Sequence, residues 1–186
     1  MMATQFPRLA LAHRTFIAAQ HIFFVATAAP TGRVNASPKG TDSLRVLDAN
    51  RLLWRNSTGS GNETAGHLRH QNRMTLMWCS FDAQPLILRC YGTATALHLG
   101  DPGWDAANAT FPPDPAARQI FDMTVDLVQT SCGFGVPRMA YEAERPDADN
   151  WVAEKGPDGI RAYWDEKNRA TLDGFATGIE ANLDPR

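Results

Sequence analysis

Two periods alternate along the chain. Leu9, Ala12, Phe16 and Ala19 recur at helical spacing behind Pro7, which suits a first turn, so residues 7–20 are expected to form a helix. Residues 22–28 are rich in β-formers and end at the turn Pro30-Thr31-Gly32. Residues 33–37 follow as a strand, with Val34 and Ala36 on one face and Asn35 and Ser37 on the other, making a hairpin. Residues 44–47 and 52–56, joined by Asp48-Ala49-Asn50, predict a second hairpin. The glycine-rich stretch Ser57-Thr58-Gly59-Ser60-Gly61 is loop chemistry, and Ser60-x-x-Glu63 has the spacing of a capping box that opens a helix to about Gln71.

Further on, residues 73–81 and 86–97 read as long strands, and residues 101–109 as a short helix. In 74–81 both alternating sets are largely apolar, as expected of a barrel wall covered by helices or by a second subunit. Phe111-Pro112-Pro113-Asp114-Pro115 is an extended connector, 119–130 a strand and 131–137 a glycine-broken loop. Residues 158–172 read as a helix with Ile160, Tyr163, Trp164 and Lys167 on one side. This order favours an α+β antiparallel barrel over a βαβ sheet. A single domain is expected over residues 1–186, with a C-terminal helical extension from about 146.

Composition narrows the function. The 186 residues are 44% hydrophobic and 20% charged, as in a folded globular protein. Eighteen Lys+Arg against twenty Asp+Glu leave a net charge of -2, which demotes nucleic acid as a partner. The apolar run of residues 22–29 is too short to span a bilayer, and no membrane partner is expected. Ala26-Thr27-Ala28 has the form of a leader-peptide cleavage site, but His13, Arg14, Gln20 and His21 interrupt the apolar core such a leader needs. Cys79, Cys90 and Cys132 are odd in number and lack CxxC spacing, which fits a reducing compartment; the expected location is cytoplasmic. His67 and His70 lie three apart on one helix face, and the plain reading is a solvated face rather than a metal pair; no metal site is expected.

Two loops can carry chemistry. Asn35-Ala36-Ser37-Pro38-Lys39-Gly40 brings Asn35 and Ser37 to one face of a strand end, followed by Lys39, one of only three lysines. That offers hydrogen-bonding groups and a point positive charge to a phosphate or a polar ring edge; an ordinary turn is the alternative. Asn56-Ser57-Thr58-Gly59-Ser60-Gly61-Asn62-Glu63-Thr64 runs into a helix N-terminus, where free N–H groups and the helix dipole favour an anion. A self-satisfied capping box is the competing reading. Trp54 precedes this loop and is a candidate cofactor platform. Gln129-Thr130-Ser131-Cys132 closes a later strand with four polar groups, and Cys132 is a candidate nucleophile without an identifiable histidine partner.

Ser37-Pro38-Lys39-Gly40, Thr58-Gly59-Ser60-Gly61-Asn62-Glu63-Thr64 and Gln129-Thr130-Ser131-Cys132-Gly133, in this order over roughly residues 15–140, resemble the pyridoxamine 5′-phosphate oxidase-like flavoproteins. The resemblance implies an antiparallel split β-barrel with flanking helices, working as a homodimer that binds FMN at the subunit interface. It implies an oxidoreductase acting on a small-molecule substrate, and cofactor contacts from Asn35, Ser37, Lys39, Asn56, Thr58, Ser60, Gly61 and Asn62. Gln129, Thr130 and Ser131 are implied as polar contacts brought by the other subunit. No catalytic acid or base is implied. Gly61 and Asn62 stand where the true oxidase has basic residues, so phosphate binding is expected to lean on N–H groups, Lys39 and an arginine such as Arg55. Residues 180–186 do not match the oxidase's substrate-gripping Trp and Arg-Leu segment, so the expected substrate is not pyridoxamine phosphate. The alternative is a non-enzymatic split barrel, or one that holds a deazaflavin or haem.

Overall fold

A computed structural model describes residues 3–40 and 42–183. Among the described residues the chain forms one antiparallel sheet flanked by helices, an α+β split barrel. Its strands are β1 (Thr4–Phe6), β2 (Phe23–Thr27), β3 (Asn35–Lys39), β4 (Leu44–Val46), β5 (Arg51–Ser57), β6 (Met74–Cys79), β7 (Ile87–Leu97) and β8 (Ala117–Ser131). The helices are α1 (Leu11–Ala18), α2 (Glu63–His70), α3 (Trp104–Asn108), α4 (Asp147–Lys167) and α5 (Glu180–Leu183). The sheet order is β3-β2-β6-β7-β8-β5-β4, so the two predicted hairpins end up at opposite edges.

The 15-residue strand β8 organises the sheet. On one side it pairs with β7 along most of its length. On the other, its first half pairs with β5 and its last residues with β1, in the register Thr4↔Thr130. The β7–β8 register shifts at Tyr91/Gly92. A bulge of this kind adds bend and twist, which helps a long sheet curl around its core. Gly92 is required there because a Cβ would collide with the Thr124 carbonyl.

The concave face holds the main core, including Val25, Trp54, Leu76, Trp78, Leu88, Phe121, Met123 and Val128. Two smaller clusters lie beyond the start of β8. Ile120 and Leu53 meet Trp104 and Phe111, and Ala116 meets Ile160, Trp164 and Ile179. The start of β8 is therefore buried on both faces, and charged or polar side chains there are drawn into the interior. No described helix is long and apolar enough to cross a membrane.

Several elements differ from their expected form. Pro7 lies before α1, whose N-cap is Ala10. The short edge strand β1 carries too little pattern to be seen alone. The Ser60–Glu63 capping box does not form: Asn62 is the N-cap, and the Glu63 carboxylate accepts the Leu172 N–H at 3.1 and 3.2 Å. A capping box needs the acid at N3, and Glu63 is the first helical residue. His67 is not on a solvated face. It is 1% exposed, with Nδ1 3.1 Å from Thr27 Oγ1 and Nε2 4.0 Å from Glu63 Oε2. Its helix packs on β2 and on residues 171–175, which no local pattern announces. α4 begins earlier than expected and breaks at Gly156, where φ is +63° ahead of Pro157. Ile160 and Trp164 are buried as expected, while Lys167 is exposed beside Glu166 at 2.7 Å.

Candidate functional site

The end of β3, the end of β5 and the loop into α2 converge on one cavity of about 490 Å³, a volume suited to a small-molecule ligand. Asn35, Ser37 and Lys39 alternate along β3, so all three side chains leave the same face. Asn56, Thr58, Ser60, Gly61 and Asn62 line the cavity with them. All eight residues expected from the first strand and the glycine loop are thus gathered at one place. Trp54 forms part of the wall.

A polar network fixes the strand side. Ser37 Oγ donates to Asn35 Oδ1 at 2.8 Å, and Asn35 Nδ2 lies 3.4 Å from both Thr27 Oγ1 and Thr64 Oγ1. The Lys39 ammonium stands 5.3 Å from the centre of the Trp54 ring. Burial, with the Arg118 charge as a second cause, lowers its pKa to about 8. No described carboxylate forms an ion pair with it, so its charge is available to an anion.

The loop side is held from beneath. Arg118, at the start of β8, is 2% exposed. Its guanidinium donates to Gly59 O at 3.0 Å, to Gly61 O at 2.6 Å and to Asn168 Oδ1 at 2.7 Å. Burial lowers its pKa to about 10, which leaves it charged at neutral pH. Among the described residues, Arg118 Nε and Gln119 Nε2 are buried without a hydrogen-bond partner. Gln119 Oε1 accepts from Asn56 Nδ2 at 3.1 Å. The backbone N–H groups of Gly59, Ser60, Gly61 and Asn62 likewise donate to no described group. Four free donors, a lysine and a buried guanidinium make this wall fit a phosphate-bearing group.

Arg118 is the residue that sequence reasoning missed. Its one signal is a cation inside a strand whose neighbours Ala117, Ile120 and Phe121 are apolar. Arg55, expected to assist the phosphate, borders the cavity but spends its guanidinium elsewhere. It donates to Pro112 O, lies 4.9 Å from the Phe111 ring centre and is 3.7 Å from Asp114.

Gln129, Thr130 and Ser131 are not in the cavity. They lie at the opposite end of β8, ten residues and roughly 30 Å from Gln119 at strand spacing. There Tyr91 Oη donates to Gln129 Oε1 at 3.2 Å, and Arg89 Nη1 donates to Ser131 Oγ at 3.3 Å. All three are half-buried. The neighbouring Cys132 thiol makes no disulfide. Among the described residues, no group of three or more His, Cys, Asp or Glu is placed to hold a metal ion.

Fold and cavity together define a split-barrel protein with an anion-compatible groove at the strand ends. The family model described as pyridoxamine 5′-phosphate oxidase matches residues 9–132, and the chain belongs to that family. It is 41% identical over 123 residues to the pyridoxamine 5′-phosphate oxidase family protein ustO of Aspergillus flavus. That alignment covers 63% of this chain and 49% of the fungal protein, so the chain spans about half the length of the curated relative it matches. Two solved structures share the fold at low identity. A putative pyridoxamine 5′-phosphate oxidase of Lactobacillus delbrueckii aligns at a TM-score of 0.55 and 19% identity, covering 69% of this chain and 98% of that one. HupZ of Group A Streptococcus aligns at a TM-score of 0.52 and 18% identity, covering 64% of this chain and 91% of that one.

Proposed function

We propose that this protein is a homodimeric, cytoplasmic, FMN-dependent oxidoreductase acting on a small-molecule substrate. The observation that carries the reading is the convergence of β3 and the glycine loop, which sets Lys39 and four unpartnered N–H groups around one cavity. Lys39 and the N–H groups of residues 59–62 hold the phosphate. Asn35, Ser37 and Asn56 orient the polar edge of the cofactor, and Trp54 and Arg118 close the wall behind them. Bound FMN supplies the electron-transfer chemistry; the chain supplies orientation, hydrogen bonds and exclusion of water.

Gln129 and Thr130 reach such a site only from a second copy, because within one chain they sit at the far end of β8. Shared sites therefore support the dimer in this reading. Family membership supports the cofactor class.

The test is the visible spectrum of the purified protein together with an FMN titration followed by flavin fluorescence. A yellow protein, or saturable uptake of FMN by the apoprotein, is expected, with bleaching on reduction by NADH or NADPH. A colourless protein that takes up no FMN overturns the reading. A Soret band or a deazaflavin spectrum assigns the same cavity to the other cofactor.

A further inference from the structure

The family match ends at residue 132, yet the underside of the glycine loop is built largely from residues beyond it. Trp164, Asn168 and Leu172 follow one another at intervals of four, and each meets the loop. Trp164 Nε1 donates to Thr58 Oγ1 at 2.7 Å, and that hydroxyl donates to Ala116 O at 2.6 Å. Asn168 Nδ2 donates to Gly59 O at 3.0 Å, and the Asn168 carbonyl accepts from Asn62 Nδ2 at 3.3 Å. Leu172 N donates to the Glu63 carboxylate. Asn168 is fully buried and also accepts from Arg118 Nη1. Asn182, further along, accepts Leu99 N–H at 3.0 Å and donates to Arg118 O at 2.5 Å, which fixes the strand that carries the guanidinium.

This arrangement has a directional consequence. In a trans peptide the carbonyl and the following N–H point to opposite sides. The described residues contain no cis peptide bonds. Arg118 and Asn168 draw the carbonyls of Gly59 and Gly61 inward. The N–H groups of Ser60 and Asn62 are thereby turned to the outer side of the loop, where neither meets a described acceptor. A glycine-rich loop left to itself samples many peptide orientations, since glycine loses more freedom on ordering than any other residue. The ties from α4 remove that freedom in advance of binding.

We propose that the segment after residue 146 is a working part of the cofactor site, in which Asn168 is a positioning residue that presents the Ser60 and Asn62 N–H groups to the phosphate. The inference rests on the flavin reading above and adds the segment that sets phosphate selectivity. It gives Gly61 and Asn62 a replacement for the basic residues expected there: charge comes from Lys39 and Arg118, and the donors come from a loop held open by Asn168.

Asn168→Asp is the sharp variant. It keeps the acceptor for Arg118 but turns an oxygen toward Gly59 O, so the loop carbonyl is repelled. FMN and riboflavin affinities, measured side by side by fluorescence quenching, separate positioning from general stability because riboflavin lacks the phosphate. FMN affinity is expected to fall about tenfold, the equivalent of one charge-assisted hydrogen bond, while riboflavin affinity stays within about twofold. Equal losses for both flavins, or no loss for either alongside a lower melting temperature, overturn the proposal. If Asn168→Asp does not fold, Trp164→Phe removes the donor to Thr58 together with part of the buried indole; riboflavin affinity controls for the lost packing, and a selective loss of roughly threefold for FMN is expected. Hydrogen exchange in the apoprotein gives a cofactor-free readout. The Thr58 amide, which donates to Ala116 O at 2.9 Å, is expected to exchange faster in either variant. A wild type that binds no flavin defeats the flavin reading, whereas unchanged Thr58 exchange in the variants defeats the tether.

Discussion

The Lys39 ammonium lies 5.3 Å from the centre of the Trp54 ring, on the wall of a cavity that the buried Arg118 also lines. Trp54 in turn stacks on Phe121 at 4.8 Å, so the platform under the lysine is anchored in the main core. The charge is held over an aromatic face by packing rather than by a carboxylate, which leaves it free to meet an anion.

That geometry gives a pH dependence. Burial and Arg118 lower the Lys39 pKa from 10.5 to about 8 in the unliganded protein. In the proposed complex a phosphate beside it favours the charged form, so FMN binding is expected to raise this pKa. Affinity is therefore full below pH 8 and declines as pH rises through 8 toward the bound-state value. Fluorescence titrations between pH 7 and pH 9.5 are expected to show this decline for FMN, weakly or not at all for riboflavin, and not at all in Lys39→Met. In the empty protein the sign reverses. Burying the ammonium costs stability below pH 8, and that cost fades as the pH climbs from 8 to 10.5.

Arg118 ties two loop carbonyls to β8, and its loss strands them. Arg118→Met is expected to destabilise the fold by about 2–3 kcal/mol, a drop of roughly 5–10 °C in thermal midpoint, and to weaken FMN binding as the loop relaxes. Arg118→Lys keeps the charge but not the planar fork, and is expected to recover little of either loss. Differential scanning calorimetry and FMN titration of the two variants check this; full recovery by lysine would show that charge alone matters.

Gly66 sits inside α2, where alanine would ordinarily favour the helix by about 1 kcal/mol. Here a Cβ would collide with Thr171 Cγ2 and stand 3.2 Å from Phe175 O. Gly66→Ala is expected to be destabilising by about 1–3 kcal/mol, by pushing residues 171–175 off the helix. Thr171→Ser removes the colliding methyl and keeps the hydroxyl that accepts Phe175 N–H at 3.0 Å. In that background the Phe175 carbonyl still crowds the new Cβ, so the cost of Gly66→Ala is expected to fall but not to vanish, a coupling that a double-mutant cycle in urea reads directly.

If the site is shared between two copies, as proposed above, complementation follows. Lys39→Ala and Gln129→Ala homodimers are each expected to bind FMN poorly. Co-expressed, the two chains are expected to form a heterodimer with one intact site, pairing Lys39 of one chain with Gln129 of the other. About one FMN per heterodimer at wild-type affinity is expected by titration. Heterodimers no better than either homodimer would show that Gln129 does not serve the cavity across an interface.

The strands were readable because their cause is local. Period-two alternation and turn residues placed β2 through β8 within a few residues, and the three polar motifs marked the end of β3, the loop between β5 and α2, and the end of β8. Elements whose cause is tertiary were not. His67 looked like half of a solvated pair because nothing near it in sequence shows that β2 and residues 171–175 cover its helix. Glu63 looked like a capping-box acid because its actual partner, the Leu172 N–H, is 109 residues away. Arg118 carried no local mark of its role; it is interior because the start of β8 is packed on both faces.

The sequence by itself determined the succession of strands and helices along the chain, the glycine loop and the polar and cationic residues near it. Those follow from dihedral preference and hydrophobic period, which neighbouring residues set. Tertiary structure decided that β3 and the glycine loop face one cavity, that Gln129 lies at the other end of β8, and that Asn168 holds the loop from below. Such relations depend on which distant surfaces find each other in the folded chain, and burial there converts ordinary polar residues into fixed donors and charges.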